Sequence, residues 1–161
     1  LLDQGIDAWM LSEALIGVHA QRLVQRLCSA CRMSRPAKEA EVEEWLNAHL
    51  GASGHDPTGE EREALQRSWV ERWGREGRLR RYQSPGCERC DSTGSRRRTA
   101  VHELLVVGKE MRRLMRAGAP AWNLQRQAVK DGMKTLRQDA IEKMLAGLVS
   151  QDEVRRVGAD I

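Results

Sequence analysis

Cys28, Cys31, Cys87 and Cys90 are the four cysteines of this 161-residue chain, and they form two C-x-x-C turns, Leu27-Cys28-Ser29-Ala30-Cys31 and Gly86-Cys87-Glu88-Arg89-Cys90. A C-x-x-C turn offers two thiolates at a bite that suits half a tetrahedron, so two such turns brought together assemble the S₄ ligand set of a structural zinc site. The shell is closed and leaves no position for a substrate. Two disulfides, a redox C-x-x-C or an iron–sulfur cluster are the rival readings, and each needs something the sequence does not show. The chain has no secretory pattern and no cysteine-dense scaffold, and its second pair lacks the strand-to-helix setting of a thiol oxidoreductase. Four thiolates around Zn²⁺ leave a net double negative charge. Arg22, Arg26, Arg32, Arg89, Arg96, Arg97 and Arg98 lie close to a cysteine in sequence, and some of them are expected to screen the sulfurs.

Other chemistry is thin. The sequence carries no phosphate-binding G-x-x-x-x-G-K-[ST] loop, no H-E-x-x-H and no G-x-S-x-G. His19, His49, His55 and His102 are scattered singly. His102 beside Glu103 is no acid–base pair if the segment is a strand, because neighbouring strand residues point to opposite faces. No catalytic residue is assigned, and the chain alone is expected to turn nothing over.

The elements that must bring the two turns together follow from periodicity and end signals. Leu1 to Gln4 reads as the tail of a helix ended by Gly5, as though the chain begins in the middle of something. Asp7 caps a short helix with Leu11, Ala14 and Leu15 on one face, closed by Gly17. Val18 to Val24 is strand-like, with a helix as the alternative, and runs into the first cysteine pair. Pro36 to Leu50 is an amphipathic helix bearing Val42, Trp45, Leu46 and Leu50, and Gly51 to Pro57 is a loop. Thr58 and Glu61 make a capping box for a second helix with Leu65, Trp69 and Trp73, ended by Gly74 and Gly77. The tryptophan stripe suits a small core between these helices, or a partner site. Arg75 to Arg81 is basic and extended. Arg98 to Val107 is the best strand and is expected to pair with residues 18 to 24, so that the metal sits at the end of an antiparallel pair. Four helices follow, Lys109 to Ala117, Ala121 to Asp131, one capped by Thr135 and Gln138, and a last one capped by Ser150 and Glu153. The predicted fold is therefore α+β and mainly helical.

Composition bounds the rest. Hydrophobic residues make up 40%, phenylalanine is absent, and five tryptophans and one tyrosine supply the aromatic bulk. At this length a single core, or a core with a metal-held subdomain, is what the chain can bury. The net charge of +4 admits an acidic or nucleic-acid partner. No apolar run approaches a membrane span.

Three stretches together resemble a known family: Gly17 to Cys31 (GVHAQRLVQRLCSAC); Gly86-Cys87-Glu88-Arg89-Cys90 with Thr93-Gly94, Arg98-Thr99 and Glu103-Leu104-Leu105; and Gly132-Met133-Lys134-Thr135-Leu136 with Gly147 and Glu153-Val154. The chain looks like the C-terminal part of the ATPases that power type II secretion and type IV pilus assembly. The likeness covers residues 1 to 31 and about 84 to 158, while 32 to 83 match only in position. The tetracysteine marks the export and pilus-assembly branch, since pilus-retraction relatives generally lack it.

The resemblance implies the last segment of a RecA-like motor domain that assembles into a homo-hexamer on the cytoplasmic face of the inner membrane. ATP and Mg²⁺ would bind in the full-length parent only, whose phosphate-binding loop and acidic partners precede this segment. The implied partners are an inner-membrane platform or cytoplasmic docking proteins. The implied division is residues 1–27 as the motor tail, 28–95 as an inserted zinc-binding subdomain, and 96–161 as the last strand and a C-terminal helical bundle. Carried over, the metal ligands are Cys28, Cys31, Cys87 and Cys90. Gln21 and Arg22 match the family's Gln-Arg-Leu run without a chemical role. Relatives usually have an aromatic and then Arg-Gly-Arg after the second turn, where this chain has Ser95-Arg96-Arg97-Arg98, which leaves the turn geometry there open, since a glycine supplies backbone angles that arginine adopts only at a cost. The alternative is a zinc-ribbon nucleic-acid-binding module, motivated by the arginines between Arg72 and Arg98 and weakened by the shortage of aromatics that stack bases.

Overall fold

The computed structural model describes residues 5–52 and 57–159. The expected helix tail at residues 1–4 and most of the loop after Gly51, including His55, lie outside the described residues. Asp7 is extended and its carboxylate accepts the N–H groups of Trp9 and Met10, opening α1 (Ala8–Ala14). Leu15, not Gly17, is the C-cap, because Gly17 is already paired with Val106 as the first residue of β1 (Gly17–Leu27). The segment from 18 to 24 is thus a strand, longer than expected. β1 runs antiparallel to β4 (Ser95–Val106) in register from Gly17↔Val106 to Leu27↔Ser95.

A bulge interrupts this ribbon between Gln25 and Leu27. Gln25 faces Arg98 and Leu27 faces Ser95, so Arg96 and Arg97 oppose Arg26 alone. Arg97 there has φ +69°. The left-handed angle expected of a glycine position is therefore held by arginine, at a cost of about 1 kcal/mol.

Between the cysteine turns lies a second ribbon with no sequence signal, β2 (Met33–Pro36) antiparallel to β3 (Arg80–Gln83). It carries α2 (Glu39–Gly51) and α3 (Gly59–Trp73). The first of these starts at Glu39 rather than Pro36 because Pro36 closes β2 against Arg80. Thr58 and Glu61 cap α3 reciprocally, as the spacing predicts, and Gly74 ends it. The expected extension over 75–81 is instead a turn, bridged Arg75 to Arg78, and only then the strand. Glu41 ties the ribbon to α2: its carboxylate accepts from Arg35 at 2.6 and 2.8 Å, from Arg81, and from the N–H of Lys38 at 2.9 Å. Those cations, Arg35 first, hold the Glu41 carboxyl down at about 2.

The four C-terminal helices stand where periodicity puts them: α4 (Lys109–Arg116), α5 (Ala121–Lys130), α6 (Leu136–Leu145) and α7 (Gln151–Ala159). Thr135 and Gln138 form the expected box. At α7 the Ser150 hydroxyl does accept the Glu153 N–H, but the Glu153 carboxylate takes the N–H of Gln25 at 2.9 Å and the Arg156 guanidinium. A local cap is thereby exchanged for a tie from α7 to β1. The ribbon is also stitched to α6, since Glu103 accepts the Leu136 N–H at 3.0 Å and Asp139 accepts the His102 N–H at 2.7 Å.

The buried apolar residues form two clusters among the described residues. The larger joins Trp45, Leu46, Trp69 and Leu79 from the insert to Val24 and Val101 of the ribbon and to α6 and α7, with Ile141, Leu145 and Val149 fully buried. The smaller packs Val107, Met111, Ala128 and Met133. The tryptophan stripe is therefore core: Trp45 and Trp69 are inside and Trp73 packs against them. The chain is α+β with seven helices described, and no described helix is long and apolar enough to cross a membrane. Among the described residues β1 pairs with no strand but β4, and Val18, Leu23, Leu104 and Val106 on the ribbon are exposed.

Candidate metal centre

The first ribbon delivers the first thiol turn. Leu27 pairs with Ser95, and the next residue, Cys28, donates its N–H to the Gly94 carbonyl at 2.9 Å. The Ser84 hydroxyl donates to the Cys28 carbonyl at 3.3 Å. Gly94 has φ +73°, and a Cβ there would lie 2.3 Å from the Ser84 carbonyl oxygen, so only glycine lets the two crossing segments approach. The second turn is a single 3₁₀ turn, Glu88–Cys90, in which the Cys87 carbonyl accepts the N–H groups of Cys90 and Ser92. Asp91 and Ser92 then adopt left-handed angles and reverse the chain into β4.

These supports bring all four sulfurs to within 4.8 Å of one another. Cys28 to Cys87 and Cys31 to Cys90 are 4.0 Å apart, and Cys87 to Cys90 is 3.7 Å. A tetrahedron of thiolates at about 2.3 Å from a central Zn²⁺ has edges of about 3.8 Å, whereas a disulfide requires about 2.05 Å. The four cysteines are free. The ligand set is thus close enough to bind a metal ion, and its dimensions are compatible with zinc. Cys28 and Cys90 are buried, and Cys31 and Cys87 are half-buried.

The thiols differ in acidity. Desolvation pushes Cys31 up to about 11. At Cys90 desolvation acts in the same direction but is outweighed by hydrogen bonding to the backbone at Cys87 and Gly94, and the thiol falls to about 7. The Cys87 N–H to the Cys90 sulfur, at 3.2 Å, is one of these donors.

Of the arginines expected to screen the sulfurs, Arg32 is engaged elsewhere. Arg32 donates to the Gly147 carbonyl and stacks its guanidinium 5.4 Å from the centre of the Tyr82 ring. Tyr82 itself lies flat against Gly147, where a Cβ would come within 2.8 Å of the ring. This clamp fastens the first turn to the end of α6, and nothing in the spacing of 32, 82 and 147 announces it. Arg26, Arg96, Arg97 and Arg98 meet at the bulge, exposed, and with Arg89 they make no ion pair among the described residues.

The described histidines, His19, His49 and His102, do not converge on the thiols. His19 and His102 stack on the exposed face of the ribbon, Nε2 to Nδ1 at 3.0 Å. Glu103 lies on the other face, as strand alternation requires, and caps α6. His49 stands edge-on to Trp69, and burial pushes its pKa down to about 4. The family motif residues Met133, Thr135, Leu136 and Val154 are buried, which gives them a packing role. Gln21 is exposed and Arg22 half-buried on β1.

Comparison with known proteins gives one consistent picture. The family described as type II/IV secretion system protein matches residues 1–156. The type IV pilus assembly ATPase PilB of Thermus thermophilus is 38% identical over 152 residues, 94% of this chain and 14% of that protein. Type II secretion system protein E of Aeromonas hydrophila is 33% identical over 155 residues, 96% of this chain and 26% of that one. Type II secretion system protein HxcR of Pseudomonas aeruginosa is 29% identical over 160 residues, 99% of this chain and 25% of that one. The chain therefore spans about a quarter, or less, of the length of these relatives.

Proposed function

This chain belongs to the type II/IV secretion system protein family, and on that premise we propose that it is the non-catalytic C-terminal segment of an ATPase powering type II secretion or type IV pilus assembly. In this reading Cys28, Cys31, Cys87 and Cys90 hold one structural Zn²⁺. The ion ties the far end of the β1–β4 ribbon to the start of the insert, and the segment serves subunit contacts and docking. The division into a motor tail (1–27), a zinc-held insert (28–95) and a last strand with a C-terminal helical region (96–161) follows the same reading. The observation that carries it is the convergence of all four sulfurs to within 4.8 Å of one another at the end of a strand pair.

The wider reading is a RecA-like motor working as a homo-hexamer, cytoplasmic and peripheral to the inner membrane, with an inner-membrane platform or docking proteins as partners. ATP and Mg²⁺ belong to the full-length parent. The edge of β1 left unpaired among the described residues and the exposed Leu23, Leu104 and Val106 on one face support it, because an open ribbon with an apolar face is suited to joining a larger sheet.

Metal analysis of freshly purified, reduced protein is expected to give about one zinc per chain, and a substoichiometric content overturns the site. The unpaired arginines at the bulge favour one other reading, a nucleic-acid-binding knuckle. We expect no such binding at physiological salt. A gel-shift series showing affinity that falls steeply as salt rises would reverse that expectation.

A further inference from the structure

His19 and His102 reach one another from the two strands of the ribbon. In register His19 stands opposite Leu104 and Gln21 opposite His102, so the two histidines project from one face on successive rungs of that face. Both are exposed. His19 Nε2 lies 3.0 Å from His102 Nδ1, and the ring planes are 17° apart, so one ring donates an N–H to the bare nitrogen of the other.

The surroundings do not oppose a cation at these two nitrogens. The groove beside His102 is lined by Asp131, Lys134 and Asp139 among others. Lys134 is matched by the Glu142 carboxylate, and Asp139 accepts the His102 backbone N–H and the Lys143 ammonium, so the groove presents no unmatched lysine. With Asp139 engaged, the protein offers two ligands. Two nitrogens at about 2.0–2.1 Å from an ion and at right angles stand about 2.8–3.0 Å apart, whereas a tetrahedral pair stands about 3.3–3.4 Å apart. The observed 3.0 Å fits the right angle of tetragonal and octahedral ions that imidazole favours, such as nickel(II) and copper(II), better than tetrahedral zinc.

We propose that His19 and His102 form a second metal site, for a divalent late transition-metal ion of tetragonal or octahedral preference. The ion takes Nε2 of His19 and Nδ1 of His102 as adjacent ligands and leaves its remaining positions to water. The ring that now donates passes its proton to its own outer nitrogen through solvent, so both facing nitrogens present lone pairs and both imidazoles stay neutral. Exposed side chains turn freely about their torsions, and such a turn aims both lone pairs at one point. The four-thiol group includes neither histidine, so the proposal goes beyond the zinc reading and stands apart from it. Soft thiolates draw zinc to themselves, and the imidazole pair is left to the other ion.

The test is a nickel(II) titration of the zinc-loaded, tag-free chain, read by calorimetry and by proton NMR of the histidine rings, with zinc content measured throughout. One Ni²⁺ is expected to bind per chain, broadening the ring signals of His19 and His102 while zinc stays bound, and Mg²⁺ at the same concentration should do neither. His19→Gln and His102→Gln should each weaken nickel binding at least tenfold, and His55→Gln should leave it unchanged. No nickel binding at about 1 mM, an equal response to Mg²⁺, or unchanged affinity in either of the first two variants overturns the proposal. Zinc released by nickel with both rings unaffected overturns it as well. The ring signals of the unaltered chain decide the matter even if a variant fails to fold. A chain that takes no zinc yet still broadens both rings with nickel would count against the thiol site alone and support this one.

Discussion

The two apolar clusters are assembled by opposite means. The smaller draws its buried members from Val107 to Met133, one stretch of chain folded back on itself as helix after helix, with Leu105 and the more distant Leu15 packed against it. The larger collects residues from Val24 to Val157, which meet only because the insert is folded back onto the ribbon and α6. Local contacts form at little entropic cost, whereas closing a long loop is unfavourable until the contacts it permits are made. The large cluster therefore depends on its fastenings, the thiol turns, the Arg32–Gly147 clamp and the Glu41 network, in a way the small one does not.

The sharpest way to break that contrast is to remove the metal. Chelation, or Cys28→Ser with Cys31→Ser, is expected to forfeit on the order of 10 kcal/mol of coupled binding and folding. From sequence, residues 28 to 98 should melt before all the C-terminal helices. The shared core sharpens this: amide protection should be lost in α2, α3 and α6 together, with α4 and α5 keeping theirs. Simultaneous exchange of α4 and α5 would show that the clusters are one cooperative unit.

Within the large cluster, Trp69→Ala should cost about 4 kcal/mol by chemical denaturation, because Trp69 is almost fully buried between the insert helices and His49. A loss below about 1 kcal/mol would mean the insert core is loosely packed. Glu41→Gln comes next, at about 2 kcal/mol, since it leaves Arg35 and Arg81 without their carboxylate. The carboxyl is held at about 2 in the folded chain, against an ordinary 4.5. The unfolded chain therefore takes up the proton first, and this stability is complete above about pH 4.5 and is lost as pH falls toward 2. The acid limb of a stability profile should flatten in Glu41→Gln. The smallest effect has the opposite sign: Arg97→Gly should raise the thermal midpoint through about 1 kcal/mol of relieved backbone strain. An unchanged or lowered midpoint would mean that the arginine side chain contributes something the bulge geometry does not reveal.

What could be read from the sequence follows the same division. The caps at Asp7, Thr58 with Glu61, and Thr135 with Gln138 were legible because donor and acceptor lie within three residues. The convergence of the four cysteines was legible because a C-x-x-C turn carries its own geometry. The β2–β3 pair was not, since Met33-Ser34-Arg35-Pro36 and Arg80-Arg81-Tyr82-Gln83 have no apolar alternation and are brought into register from 44 residues apart or more. Gly17 and Glu153 were misjudged for a related reason. Each carries a good local signal that is overridden by a distant partner, Val106 for the glycine and the Gln25 N–H for the carboxylate. Among the residues that position the thiols, Ser84 escaped notice, Gly94 and Gly147 entered only as motif residues and Arg32 only as a screening cation, because their contacts are likewise long-range.

The packing of Tyr82 on Gly147 under the Arg32 guanidinium has an evolutionary consequence. A methyl group at 147 would displace the ring, and a displaced ring would strip the guanidinium of its platform. Lineages of this protein should therefore exchange positions 32, 82 and 147 in concert or leave all three alone.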